Sequence, residues 1–231
     1  MDERLLDAAA ANNAAWCDAV CRLRGIVGAH ADDAWTSPMR TPDYYPDAVT
    51  LRRSVDVSRL LGRIDSSAGC SIKDSFADLA LQPHGFSVLF EAQWLHWPAE
   101  GQSGGESLRW TQVRDADGLA DWDEARGRAL VERWDYPAGI VSAADVIVAA
   151  GSRAEEVVAG AALCTAAGVV GLANVYATDG RLVEAFRGAA AAAARWRPGA
   201  PVVGYETGSD LEAALEAGFE PIGPLSVWLK G

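Results

Sequence analysis

The stretch that most limits what this chain can fold into begins at Val169. VVGLANVY, residues 169–176, is a near-continuous apolar run of strand length, as expected for a strand buried on both faces. Arg181–Trp196, RLVEAFRGAAAAAARW, is alanine-rich and free of internal proline, which predicts a helix ended by Pro198 and Gly199. PVVGYE, 201–206, predicts a second short strand. SDLEAALEAGF predicts a second helix, with Ser209 or Asp210 as N-cap and Gly218 as its stop. EPIGPLSVWLK closes the chain as a strand. Strand, helix, strand, helix, strand predicts an α/β chain built on a mixed sheet.

The 231 residues suffice for one good core, or for one domain and a smaller partner. A net charge of -12 without any basic stripe argues against nucleic acid. Acidity can favour cationic substrates, but it serves solubility equally well. The Ala/Val-rich segment 157–177 is broken by Gly160, Thr165, Gly168, Gly171 and Asn174, so it reads as strands and a turn and not as a membrane span. The first residues are polar and acidic, without an apolar leader, and a cytoplasmic protein is expected. Four cysteines make no disulfide framework at this length. Cys17 and Cys21 lie one helical turn apart and could offer two ligands, but no second pair exists. Packed core thiols, with no metal, are expected.

Apolar spacing predicts an opening helix over 4–24. A loop follows over 28–47, in which Trp35, Tyr44 and Tyr45 beside Arg40 either line a pocket or cover the edge of the core. A strand is expected over 48–53, a helix over 55–65, a turn at 66–69 and a short helix over 76–81. Lys73, Asp74 and Ser75 precede that helix; Asp74 and Ser75 read as caps or, with Lys73, as substrate-binding groups. FSVLFEAQWLHW, 86–97, predicts a long strand with Val88, Phe90, Ala92 and Trp94 on one face. Trp94 and Trp97 around His96 could wall a cationic group. The small, polar, Gly-rich segment 99–106 predicts a linker between an N-terminal lobe, 1–98, and a second domain, 107–231. That domain opens with a strand over 108–115 and a helix over 118–130, with Leu119, Trp122, Ala125 and Leu130 facing inward. A loop over 134–143 and strands over 145–151 and 157–166 complete it. Residues 76–95 and 211–229 share an order of helix, Gly-Phe, strand and Trp-Leu, which fits two related half-domains.

VVAGAALCTAAGVVGLANVY is similar to the central hairpin that leads into the cofactor strand of the GNAT superfamily of acyl-CoA N-acyltransferases. YETGSDLEAALEAGFEPIG is similar to that family's last strand-helix-Gly-Phe-strand module. The resemblance covers 107–231. TPDYYPDAVTL and KDSFADL look like an extra, partial GNAT-like lobe. The resemblance implies a GNAT-like fold, acetyl-CoA as cofactor and transfer of its acyl group to a small amine. In the family a Gly-rich turn opens the helix after the cofactor strand, and its free amides hold the pyrophosphate. The segment here is ATDGRLVEAF, which keeps one glycine, Gly180, followed by Leu182, Val183 and Glu184. The family's later Asn and Tyr fall on Thr207 and Ala214.

The resemblance therefore implies Asn174, Val175, Tyr176, Gly180 and Arg181 as cofactor-binding residues. The family's Asn and Tyr are not retained, and Glu206 and Tyr205 at that strand end, with Tyr176, are expected to take over as acid–base groups. Lys73, Asp74, Ser75 and Trp94 are expected to line the substrate side of the cleft between the lobes, Lys73 reading equally as a solvated lysine. Asn174 reads equally as a sheet-end amide, and Glu206 as a capping or solvated carboxylate. Two other readings stay open: a GNAT fold without coenzyme A serving as a ligand-binding or regulatory module, and different chemistry using Lys73, Asp74, His84 or Glu206. The expected partners are a small amine and a second copy in a homodimer, with neither nucleic acid nor membrane.

Overall fold

The computed structural model describes residues 3–98, 108–129 and 136–231. The linker expected over 99–106 and Leu130, expected to face inward, lie outside the described residues. In chain order the elements are α1 (Glu3–Leu23), β1 (Ala29–His30), β2 (Ala34–Thr36), β3 (Ala48–Thr50), α2 (Val57–Leu61), β4 (Ser71–Asp74), β5 (Phe86–Trp97) and β6 (Arg109–Val113). They continue with α3 (Ala116–Ala129), β7 (Val146–Arg153), β8 (Glu156–Cys164), β9 (Val170–Ala177), α4 (Leu182–Trp196), β10 (Val202–Glu206), α5 (Gly208–Glu216) and β11 (Glu220–Lys230).

The five elements expected from residue 169 onward all form. The cap of α5 differs: Thr207 stands at the N-cap position, not Ser209 or Asp210, and its side chain makes no capping bond. The N-terminal half departs further from expectation. No helix forms over 76–81. Ala77 is left-handed (φ 52°), and the Asp74 carboxylate accepts from the amides of Phe76 (3.3 Å) and Leu79 (2.8 Å), which fixes a turn instead. The short strand β4 that carries Lys73 has too little alternation to be read, and β1 and β2 lie inside the expected loop. Val88 is exposed, because the β5–β11 register shifts between Val227 and Trp228 and turns it off the face of Phe90, Ala92 and Trp94.

The strands join in one sheet in the order β1-β2-β3-β4-β11-β5-β10-β9-β8-β7-β6. Each half lends its last strand to the other. β11 pairs with β4, and β5 pairs with β10, so β5 and β11 lie antiparallel to each other at the crossing. These are the two strands whose sequences echo one another. Helices α4 and α5 cover one face through Phe186, Phe219 and the alanines of α4. Helices α1 and α3 cover the other through Trp16, Trp122 and the buried thiols of α1.

Helix α1 runs across both halves of the sheet. Its first turns, at Leu6 and Ala9, pack over β5 and β11, and its later ones pack over β8 and β9. Asn12, 2% exposed, ties it down by donating to the carbonyls of Cys164 (2.8 Å) and Ala166 (2.9 Å). Gly171 leaves the room: a Cβ there would sit 1.9 Å from Asn12 Oδ1. Removing Asn12 strands buried carbonyls. Asn12→Ala is expected to lower the unfolding free energy by about 2 kcal/mol, measured by urea denaturation. A loss within about 0.5 kcal/mol, the scale of an ordinary surface change, would show that α1 is held by apolar packing alone.

Candidate functional site

β9 and β10 are parallel, but they pair only at Val170–Val202 and Gly171–Val203. Beyond Gly171 the strands part. On the other side of β9, Ala173 and Tyr176 pair with Ala162 and Gly160, so Asn174 and Val175 together stand opposite Ala161. This is a β-bulge, with Asn174 left-handed at φ 53°. Asparagine tolerates that conformation where a β-branched residue would not. The side chain is held by donation from Nδ2 to Tyr136 Oη. From Ala173 to Val175 the edge of β9 that faces β10 has no ladder partner.

The parting opens a cleft of about 780 Å³. Leu172–Val175 form one wall, and Tyr205, Glu206 and Asp210 another. The floor is laid by the exchanged strands, through Leu89, Phe90, Val227 and Leu229. α1 contributes Asn13, Trp16 and Cys17. The segment 40–47 closes the far side, shaped by the Asp47 carboxylate, which is 1% exposed. It accepts from the amides of Thr41 (2.9 Å) and Ser71 (3.0 Å) and from Arg40 Nη1 (2.6 Å). Arg40, Tyr44 and Tyr45 thus line the cleft, whereas Trp35 is fully buried and donates to Asp18. The two readings of the aromatic loop are each right for different residues.

Lys73 enters from β4 and is 3% exposed. Its ammonium donates to Asn13 Oδ1 and to Tyr205 Oη, both at 2.9 Å, and lies 4.0 Å from the centre of the Tyr205 ring. Glu206 is half-buried, and no hydrogen bond to its carboxylate is found among the described residues. Burial, then the nearby Asp210 charge, push its pKa up to about 8 against the opposing pull of Lys73. Burial also pushes the Cys17 thiol up to about 11, so it stays protonated and unreactive near neutral pH.

Of the residues singled out by sequence, Lys73, Asn174, Val175, Tyr205 and Glu206 meet in this cleft. The others lie elsewhere. Tyr176 is 1% exposed and donates to the Trp122 carbonyl at 2.9 Å, on the side of the sheet that carries α3. Asp74 and Ser75 are buried behind Lys73, Asp74 as the anchor of its turn. Trp94 is buried, donates to the Ser75 carbonyl at 2.8 Å and supports Tyr205 edge-on at 5.4 Å. It does not wall the cleft with Trp97. Gly180 and Arg181 sit at the start of α4, outside the cleft lining. Asn13, Asp47 and Asp210 were missed. For Asn13 there was a signal: Asn12 and Asn13 are paired amides in an otherwise alanine-rich helix.

Acyl-coenzyme A, the ligand implied by the sequence resemblance, meets two different surfaces. The unpaired edge of β9 offers amides and carbonyls to an amide-bearing pantetheine arm. The N-terminus of α4 offers amides to a diphosphate, but carboxylates stand there already. Asp179 accepts from the Arg181 amide (3.2 Å) and from Arg153 (2.6 Å), and Glu184 pairs with Arg153 and Arg181. Gly180 is left-handed at φ 74°, and a Cβ there would meet nothing within 4 Å, so the turn is open to the outside.

No protein-family model matches the chain, and no curated protein sequence does. Solved structures do. A GCN5-related N-acetyltransferase from Kribbella flavida superposes with a TM-score of 0.63 at 18% identity, over 96% of this chain and 95% of its own. A GNAT-family acetyltransferase from Novosphingobium aromaticivorans gives 0.53 at 12%, over 94% and 98%. A GCN5-related N-acetyltransferase from Sphaerobacter thermophilus gives 0.52 at 11%, over 97% and 92%. At these identities the likeness shows the fold, and it spans both halves. Among the described residues no helix is long and apolar enough to cross a membrane.

The raised pKa of Glu206 has a consequence for stability. Between its ordinary value of 4.5 and about 8 the folded chain keeps a proton that the unfolded chain releases. Stability therefore falls as pH rises through that window. Glu206→Gln removes this dependence. The variant is expected to gain melting temperature over the parent at pH 8 and to lose most of that advantage at pH 5. Equal differences at both pH values would mean that Glu206 ionises freely in the folded chain.

Proposed function

We propose that this GNAT-fold chain is an N-acyltransferase that moves an acyl group from acyl-coenzyme A to a small amine. The observation that carries the reading is the parting of β9 and β10 beside a carboxylate of raised pKa: an unpaired strand edge for the donor, with a base next to it. Asn174 and Val175 would hold the pantetheine arm by their backbone, and Gly180 and Arg181 would face the diphosphate. Bound acyl-coenzyme A would supply an activated acyl carbon and a thiol leaving group. Glu206, once ionised, would take a proton from the ammonium substrate, and the free amine so formed could then attack. Tyr205 accepts from Lys73 and so keeps its own hydroxyl proton for the departing sulfur.

A second reading has its own support. Asp179 and Glu184 oppose a diphosphate at α4, which favours a GNAT-fold protein that binds a ligand in the cleft without coenzyme A. Calorimetric titration with acetyl-CoA and coenzyme A separates the two. Micromolar binding, tightened several-fold in the Asp179→Asn/Glu184→Gln variant, is the expected result. No binding at millimolar ligand in either protein would sink the acyltransferase reading.

With an amine acceptor in hand, kcat/KM is expected to climb as pH rises through about 8, because the base works only when ionised. At pH 7 about a tenth of Glu206 carries charge. Glu206→Gln should lower kcat/KM by about 100-fold or more. A flat profile between pH 6 and 9 would remove Glu206 from the role.

A further inference from the structure

Lys73 is a buried lysine whose hydrogen-bond partners among the described residues are neutral. Its ammonium has three N–H donors; two are spent on neutral oxygens, Asn13 Oδ1 and Tyr205 Oη. Among the described residues no carboxylate forms an ion pair with it. Buried charges are ordinarily paired. Lys73 lines the cleft, so an anion delivered from the cleft would meet it.

We propose that Lys73 anchors the carboxylate of the bound substrate, and that the acceptor is an amino carboxylate, an amino acid or a close analogue, with its amine towards Glu206.

The cleft has the matching polarity. Its cation, Lys73, is bonded to Tyr205, and the acidic groups Glu206, next along the same strand, and Asp210, in the first turn of α5, line the same cleft. The anion is a carboxylate and not a phosphate. A phosphate dianion favours several cations or a guanidinium fork, and the cleft's guanidinium, Arg40, is already held by Asp47 at 2.6 Å. A single ammonium with one donor to spare suits one carboxylate oxygen. The anchor stands on the buried cation itself, whereas the role of the bound molecule as acyl acceptor rests on the acyltransferase reading.

The test is a titration of the full chain with the α-amino acids, each against its own carboxamide. At least one amino acid is expected to bind roughly ten- to a hundredfold tighter than its amide, the scale of a charge-assisted hydrogen bond. Lys73→Met should abolish that preference. Asn13→Asp places a carboxylate beside Lys73 within the protein; it should also abolish the preference, while the melting temperature holds or rises. If Lys73→Met does not fold, Asn13→Asp decides alone. Equal affinity for acid and amide in the parent, no binding of any amino acid, or a preference that survives Asn13→Asp would overturn the assignment. The two readings fail separately. Acyl transfer to amines regardless of a carboxylate keeps the acyltransferase and removes the anchor. A carboxylate preference without acetyl-CoA binding keeps the anchor and removes the acyltransferase.

Discussion

The early parting of β9 and β10 is the feature on which the site depends. Two parallel strands that paired to their ends would leave no cleft. Here the pairing stops after Gly171, and the bulge at Asn174 bends the rest of β9 away. The cost is a row of main-chain groups from Ala173 to Val175 that lack a sheet partner on one side. Unpaired backbone groups are satisfied by water, side chains or ligand, so a bend of this kind is stable chiefly where it can be filled. Asn12 limits how far the bend spreads, because it fixes the turn before β9 to α1 through the carbonyls of Cys164 and Ala166.

The exchange of β5 and β11 supplies the rest. Between β4 and β10 lie two other strands, and at ordinary strand spacing the distance across is about 14 Å. Only long side chains bridge it. Lys73 reaches from β4 and Tyr205 from β10, and they meet over the floor that the exchanged strands form. A half-molecule alone would have either the lysine or the tyrosine, never the pair. The site is therefore a product of the crossing of β5 and β11.

This explains what the sequence disclosed and what it hid. Strands β5 and β7 to β11 were legible because each is a long apolar or alternating run bounded by turns. α4 was legible from alanine and the absence of proline. β4 was not: SIKD has four residues and no pattern, and it is a strand only because β11 and β3 flank it. A tertiary partner, not propensity, makes that strand, and it carries the cation of the site. Tyr176 shows the opposite failure. It follows the bulge, and the one extra residue there moves it onto the face packed by Trp122. A side-chain period of two reads correctly along β9 only as far as Asn174.

The cleft keeps its cation uncompensated by a simple electrostatic device. Burial is the largest influence on Glu206 and favours its protonated form, and the pull of Lys73 opposes it only weakly. Asp210, in the first turn of α5, adds a second negative charge to the same region. Two carboxylates near one ammonium cannot both be satisfied in a half-buried place, and the less solvated one holds its proton. Glu206 therefore stays largely protonated near neutrality, and the polar partners of Lys73 among the described residues are the neutral Asn13 and Tyr205. A methionine at 73 would fill similar space without the cost of a buried charge. A fold that spends stability on a poised cation and a poised acid, one strand end apart, has the asymmetry that recognises a molecule charged at both ends.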